Sequence, residues 1–126
     1  MRAKDLLNHA TEFTFFPEGA EADEINGLHH AIRVAQRSPG RWAVIHQFQC
    51  WDGKEWVPER SPSSRTDKFK KKSRFPLKKA VKIALEQVDK AKVNGKTYAE
   101  WETYFKMLKE HEQLLSEQDK LICEGA

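Results

Sequence analysis

The stretch RWAVIHQFQCW at residues 41–51, followed at once by Asp52-Gly53, decides the fold of this chain. Its β-branched and aromatic residues suit a pleated, half-buried surface, and its alternation sets Trp42, Val44, His46, Phe48 and Cys50 on one face of a strand. Asp52-Gly53 tolerates the positive φ angles of a tight two-residue turn, so residues 54–57 are expected to pair back antiparallel and complete a hairpin over 42–57. Pro58 lacks an N–H and fits the end or the edge of that pairing.

Working toward the N-terminus, Ile25, Leu28, Ile32 and Ala35 recur at steps of three or four, which predicts a helix over residues 20–38 stopped by Pro39-Gly40. Residues 12–16 (EFTFF) read as a brief strand, and residues 1–10 as a short helix through Leu6 and Leu7. Toward the C-terminus, residues 58–73 (PERSPSSRTDKFKKKS) have the Pro, Ser and Lys content of a long, basic, solvated loop. Arg74-Phe75 is expected to add a last short strand, and Pro76 to open a helix whose apolar stripe is Leu77, Ala80, Val81, Ala84, Leu85 and Val88. Asn94-Gly95 is read as its end, because both residues tolerate the left-handed conformation of a helix terminus. Thr97 and Glu100 have the spacing of a capping box for a final helix over 97–123, with Trp101, Phe105, Leu108, Leu115 and Ile122 on roughly one face. So short a connection predicts that the last two helices form an antiparallel helical hairpin. The fold class is therefore α+β: a small antiparallel sheet, made of the 42–57 hairpin and one or two short strands, packed by an N-terminal helix and a C-terminal helical hairpin.

A chain of 126 residues has room for one hydrophobic core, so residues 1–126 are read as a single domain. No stretch approaches the roughly 20 apolar residues of a membrane-spanning helix, and Lys4, Asp5 and Glu12 interrupt the N-terminal region. Cys50 and Cys123 are too few for a disulfide framework or a four-ligand zinc set, which points to a reducing, cytoplasmic setting.

The net charge of +3 is unevenly spread: residues 65–79 carry +7, while residues 1–40 and 101–126 are acidic. Arg65, Lys68, Lys70, Lys71, Lys72, Arg74, Lys78, Lys79 and Lys82 are accordingly the candidate nucleic-acid-binding residues, dense enough to neutralise several phosphates. A solvated loop whose lysines keep a sheet edge from aggregating would carry the same charge. Placement separates the two, since Lys78, Lys79 and Lys82 open a helix, where positive charge opposes the dipole unless an anion is bound.

The run Lys78-Lys79-Ala80-Val81-Lys82 resembles the Lys-Lys-x-Ala-Lys opening of the second helix in double-stranded-RNA-binding domains, which grips phosphates across the major groove. The resemblance implies a helix, three strands and a helix over residues 20–92, and makes duplex binding an expectation to test. The family's Gly-Pro-x-His loop is replaced here by Asp52-Gly53, and its N-terminal helix signature is absent.

Trp42, Trp51 and Trp56 crowd the hairpin, where aromatic pairs usually form the face that stabilises it; Trp51 and Trp56 are the two offered as aromatic contacts to a partner. His29-His30 point about 100° apart on a helix and are not set for one ion, so no metal and no cofactor are expected. The histidines read as surface or capping residues. Cys50 and His46 share a strand face but lack a third orienting group, and Cys50 reads as a buried thiol. With no acid–base pair and no phosphate-cradling glycine loop, the chain reads as a non-enzymatic nucleic-acid-binding module, for duplex or single strand. The alternative is a small accessory or inhibitory protein, of phage or mobile-element type, that blocks another protein such as a nucleic-acid-binding enzyme.

Overall fold

The computed structural model describes residues 10–21, 24–59 and 61–124, with side chains described through residue 117; the helix expected over 1–10 lies almost wholly outside them. Five strands, β1 (Glu12–Phe15), β2 (Ile32–Ser38), β3 (Arg41–His46), β4 (Gln49–Trp51) and β5 (Trp56–Pro58), form one antiparallel meander in chain order. Among the described residues four α-helices accompany it: α1 (Ile25–His30), α2 (Asp67–Ser73), α3 (Leu77–Gln87) and α4 (Tyr98–Glu124). The α+β class and the antiparallel sheet are those expected.

The helix expected over 20–38 is instead one short helix and the second strand. Ile25 and Leu28 are exposed, so the three–four spacing marks no buried face. Ile32 and Val34 alternate with the exposed Arg33 and are fully buried, pairing with β1 on one side and β3 on the other. Pro39-Gly40 stops no helix; it turns a hairpin, with Gly40 at φ +72° and Ser38 opposite Arg41.

The expected single strand over 41–51 breaks at Gln47, which takes φ +56° and reverses the chain so that Ile45 faces Cys50 and His46 faces Gln49. Phe48 is left 90% exposed on that turn, whereas Trp42 and Val44 are core. The following turn is wider than the two residues expected: Trp51 pairs with Trp56, and Asp52 Oδ1 accepts from the backbone N–H of Lys54 and Glu55. These bonds hold the Asp52 carboxyl below its usual range. Gly53, at φ +101°, keeps its expected role, and Pro58 ends the edge strand β5.

The main core lies between the sheet and α3. Ile32, Val34, Trp42 and Val44 project from the strands against Ala80, Ala84, Val88 and Ala91. Alanines at the contact let the helix axis approach β2 and β3 closely. Ala35, Ala43 and Ile45 form a smaller cluster of their own. Phe75 makes a single antiparallel bridge to Trp42, a reduced form of the last short strand expected at Arg74-Phe75.

The segment expected to be a loop contains a turn of 3-10 helix (Pro62–Ser64) and then α2. Thr66 caps α2 by accepting from the Phe69 N–H at 3.1 Å, and Asp67 sits favourably in the first turn. Asn94-Gly95 does not end α3, which stops at Gln87; both residues have positive φ and make a tight turn between Val93 and Lys96. The capping box is as expected, with Thr97 N donating to Glu100 Oε1 and Glu100 N to Thr97 Oγ1.

The helical hairpin is replaced by a different arrangement. α4 starts against α1 rather than lying along α3. The Tyr98 hydroxyl donates to both Glu24 carboxylate oxygens at 3.0 and 2.9 Å, Asn26 Nδ2 donates to Glu102, and Trp101 Nε1 donates to Val93 O at 2.7 Å. Burial and the Glu24 carboxylate push the Tyr98 phenol up to about 12. From Glu102 through Glu117 every residue of α4 is exposed.

Two histidines are buried struts rather than surface groups. His30 holds its ring nitrogens 3.0 Å from Asn26 O and 3.2 Å from Lys96 O, tying α1 to the 93–96 turn. His46 Nε2 donates to His29 O at 3.2 Å, and burial drives His46 below its ordinary 6.5. The unfolded chain therefore takes up this proton at a higher pH than the folded protein. The stability held by neutral His46 is complete above about pH 6.5 and is lost as pH falls from there toward the folded value. Urea midpoints are expected to fall between pH 7 and 5.5, less steeply in His46→Gln; equal slopes in the two proteins would discount His46.

Candidate nucleic-acid interface

The basic segment is divided by α2. Lys70 and Lys71 stand three and four residues after Asp67, and Arg74 stands four and three after them, so they share a helix face, while Lys68 and Lys72 lie on another. On the first face a cleft of about 660 Å³ gathers Lys70, Lys71, Arg65 and Arg74 with Arg37 and Arg41 from the β2–β3 hairpin. Lys68 and Lys72 border a separate hollow beside Phe69, Val57 and Pro58. Lys78, Lys79 and Lys82 are exposed on α3 and do not line the cleft; Lys79 Nζ sits 5.4 Å over the Phe75 ring.

Glu59, one residue past β5, organises the floor. Its Oε1 lies 2.7 Å from Arg37 NH2, 3.4 Å from Arg65 NH2 and 3.8 Å from Arg74 NH2, and it accepts from Arg37 Nε at 3.0 Å. One carboxylate thus serves three guanidinium groups and leaves an excess of positive charge. Arg74 is the deepest, with a side chain 2% exposed. Its NH1 donates to Ser73 O and Ser73 Oγ, both at 3.1 Å, and its guanidinium carbon lies 5.5 Å from the centre of the Phe69 ring. Its NH2 makes no hydrogen bond among the described residues, and burial together with Arg65 lowers its pKa against the pull of Glu59. Its buried guanidinium, held beside Glu59, adds positive charge beneath the cleft.

Arg37 and Arg41 were missed by sequence reasoning because the run of lysines drew attention to one contiguous segment. They flank a Pro-Gly turn, and reading that turn as a hairpin would have set both at one sheet end.

Trp51 and Trp56 pack edge to face across the β4–β5 turn, with centroids 5.2 Å apart, and Trp56 also meets His46 at 5.7 Å. Both are partly buried against the main core, which leaves each only a portion of its surface for contact. Cys50 and His46 lie on different strands, and burial pushes the Cys50 thiol up, reinforced by Glu59. Among the described residues no cluster of three or more His, Cys, Asp or Glu is arranged to hold a metal ion, and no helix is long and apolar enough to cross a membrane.

The order helix, three strands, helix implied by the resemblance to double-stranded-RNA-binding domains is not what the chain forms. Over residues 20–92 four strands follow α1, and α2 intervenes before the lysine-led α3. Compared with protein-family models, curated proteins and solved structures, the chain matches none.

Proposed function

We propose that the protein is a non-enzymatic module that binds nucleic acid through the phosphate backbone, with the cleft between α2 and the β2–β3 hairpin as its contact surface. The observation that carries this reading is the convergence of Arg37, Arg41, Arg65, Lys70, Lys71 and Arg74 on one concave surface where, among the described residues, Glu59 and Asp67 are the carboxylates they meet. Arg41, Lys70 and Lys71 are exposed at its rim, able to displace counterions from phosphates, while Arg37, Arg65 and Arg74 are engaged by Glu59. No base-reading element accompanies them, so the expected binding is largely indifferent to sequence. The alternative, docking on another protein, draws on a different feature, the bare apolar stripe of α4.

Mobility-shift titrations test the proposal. Wild type is expected to shift duplex or single-stranded nucleic acid at low salt, with a log–log salt slope of magnitude about 3 if the three rim cations Arg41, Lys70 and Lys71 neutralise phosphates. Lys70→Glu with Lys71→Glu should abolish the shift, and Arg41→Glu should weaken it by about tenfold or more although it lies on a different element. Lys78→Glu with Lys79→Glu should matter less. Absence of any wild-type shift at low salt rejects the reading, and a silent Arg41→Glu moves the surface away from the cleft.

A further inference from the structure

α4 leaves the body of the protein after its first turn, and its sequence beyond that point is organised for a partner. Trp101, Leu108 and Leu115 recur at intervals of seven, as do Met107 and Leu114, with Tyr104 and His111 between the two rows. Leu121 and Ile122 continue both rows in the sequence. A strict seven-residue repeat is the spacing that keeps an apolar seam facing a second helix wound about the first. Lys96 Nζ lies over the Trp101 and Tyr104 rings at the start of the seam, and past them nothing within the described residues covers it: Met107, Leu108, Leu114 and Leu115 are between 41% and 62% exposed. Contiguous exposure of this kind marks an interaction site.

The charges beside the seam specify the occupant. On a 3.5-residue repeat Glu110 and Glu117 border the Met107/Leu114 row, Glu112 borders the Leu108/Leu115 row, and Lys106 and Lys109 fall on the opposite face. Two copies of α4 in parallel would set the Glu110/Glu117 row against the row of Glu112; in antiparallel each row would meet itself. Either direction opposes carboxylates, so self-pairing is disfavoured. We propose that the exposed seam of α4 is a docking surface for an amphipathic helix of another protein that carries Lys or Arg on both sides of its apolar stripe. The proposal does not depend on the arginine cleft, which lies on α2 and the β2–β3 hairpin.

The test uses the full chain and two synthetic 21-residue heptad helices with identical Leu/Ile seams, one flanked by Lys and the other by Glu. Calorimetric titration is expected to give about tenfold tighter binding of the Lys peptide at moderate salt, from three favourable ion pairs of ordinary surface strength. Glu110→Lys with Glu112→Lys and Glu117→Lys should reverse that preference. Leu108→Asp with Leu115→Asp should remove binding of both peptides while leaving the circular-dichroism melt unchanged, since both side chains are exposed. Equal binding of the two peptides, or binding of neither, would overturn the proposal. So would a wild-type dimer in sedimentation that Leu108→Asp with Leu115→Asp dissolves, which would make a second copy the occupant, or stable association of the chain with lipid vesicles through the same two leucines.

Discussion

Replacing Glu59 with Gln is expected to lower the stability of the fold by about 3 kcal/mol, the lower end of the cost of leaving a buried charge without its partner. The carboxylate is 13% exposed and lies within ion-pair distance of Arg37, Arg65 and Arg74, so its loss leaves three guanidinium groups facing one another. Arg37, at 30% exposure, is partly relieved by solvent; Arg74, at 2%, is not. Thermal unfolding should register the change as a drop of roughly 10 °C or more. A second readout isolates the electrostatic cause. Phosphate buffer should raise the melting temperature of Glu59→Gln more than that of wild type, relative to chloride at equal ionic strength, because an oxyanion can take the vacated place. General salting effects act on both proteins alike and cancel in that difference. A Glu59→Gln protein as stable as wild type would show that the arginines do not need the carboxylate.

The second large effect concerns two aromatic residues that alternation alone would place on one face of one strand. Trp42→Ala is expected to cost about 3 to 5 kcal/mol, the usual range for emptying a large aromatic site in a core. Trp42 is buried between the sheet and α3, has its ring centroid 5.8 Å from that of Phe13, and meets Phe75 through two backbone hydrogen bonds. Phe48→Ala should change stability by no more than about 0.5 kcal/mol, since Phe48 stands on the β3–β4 turn with no packing to lose. Denaturant unfolding of the two variants side by side checks both expectations. Comparable losses would restore the continuous strand and count against the reversal at Gln47.

Where the signals were local, the sequence was enough. The α+β class, the Leu77, Ala80, Ala84 and Val88 part of the α3 stripe, the Thr97–Glu100 capping box and the edge position of Pro58 were legible in the sequence, whereas Leu85 of that stripe is exposed and Ile83 packs on the core in its stead. Where two local preferences competed, tertiary burial chose. Ile25, Leu28, Ile32 and Ala35 satisfy a helical period, but Ile32 and Val34 are worth more as two β-branched residues buried between neighbouring strands, so the chain turns extended at Ala31. The partition of the lysines by α2 has the same origin, because the seating of Arg74 beside Glu59 joins residues far apart in the chain, whereas the reversal at Gln47 is local and turns on a positive φ at a residue type that seldom adopts it. Of the candidate interface, the sequence alone could mark the charge on residues 65–82. Only the fold could join it to Arg37 and Arg41, some thirty residues earlier, because a cleft is a property of surfaces brought together by the sheet and not of any one segment.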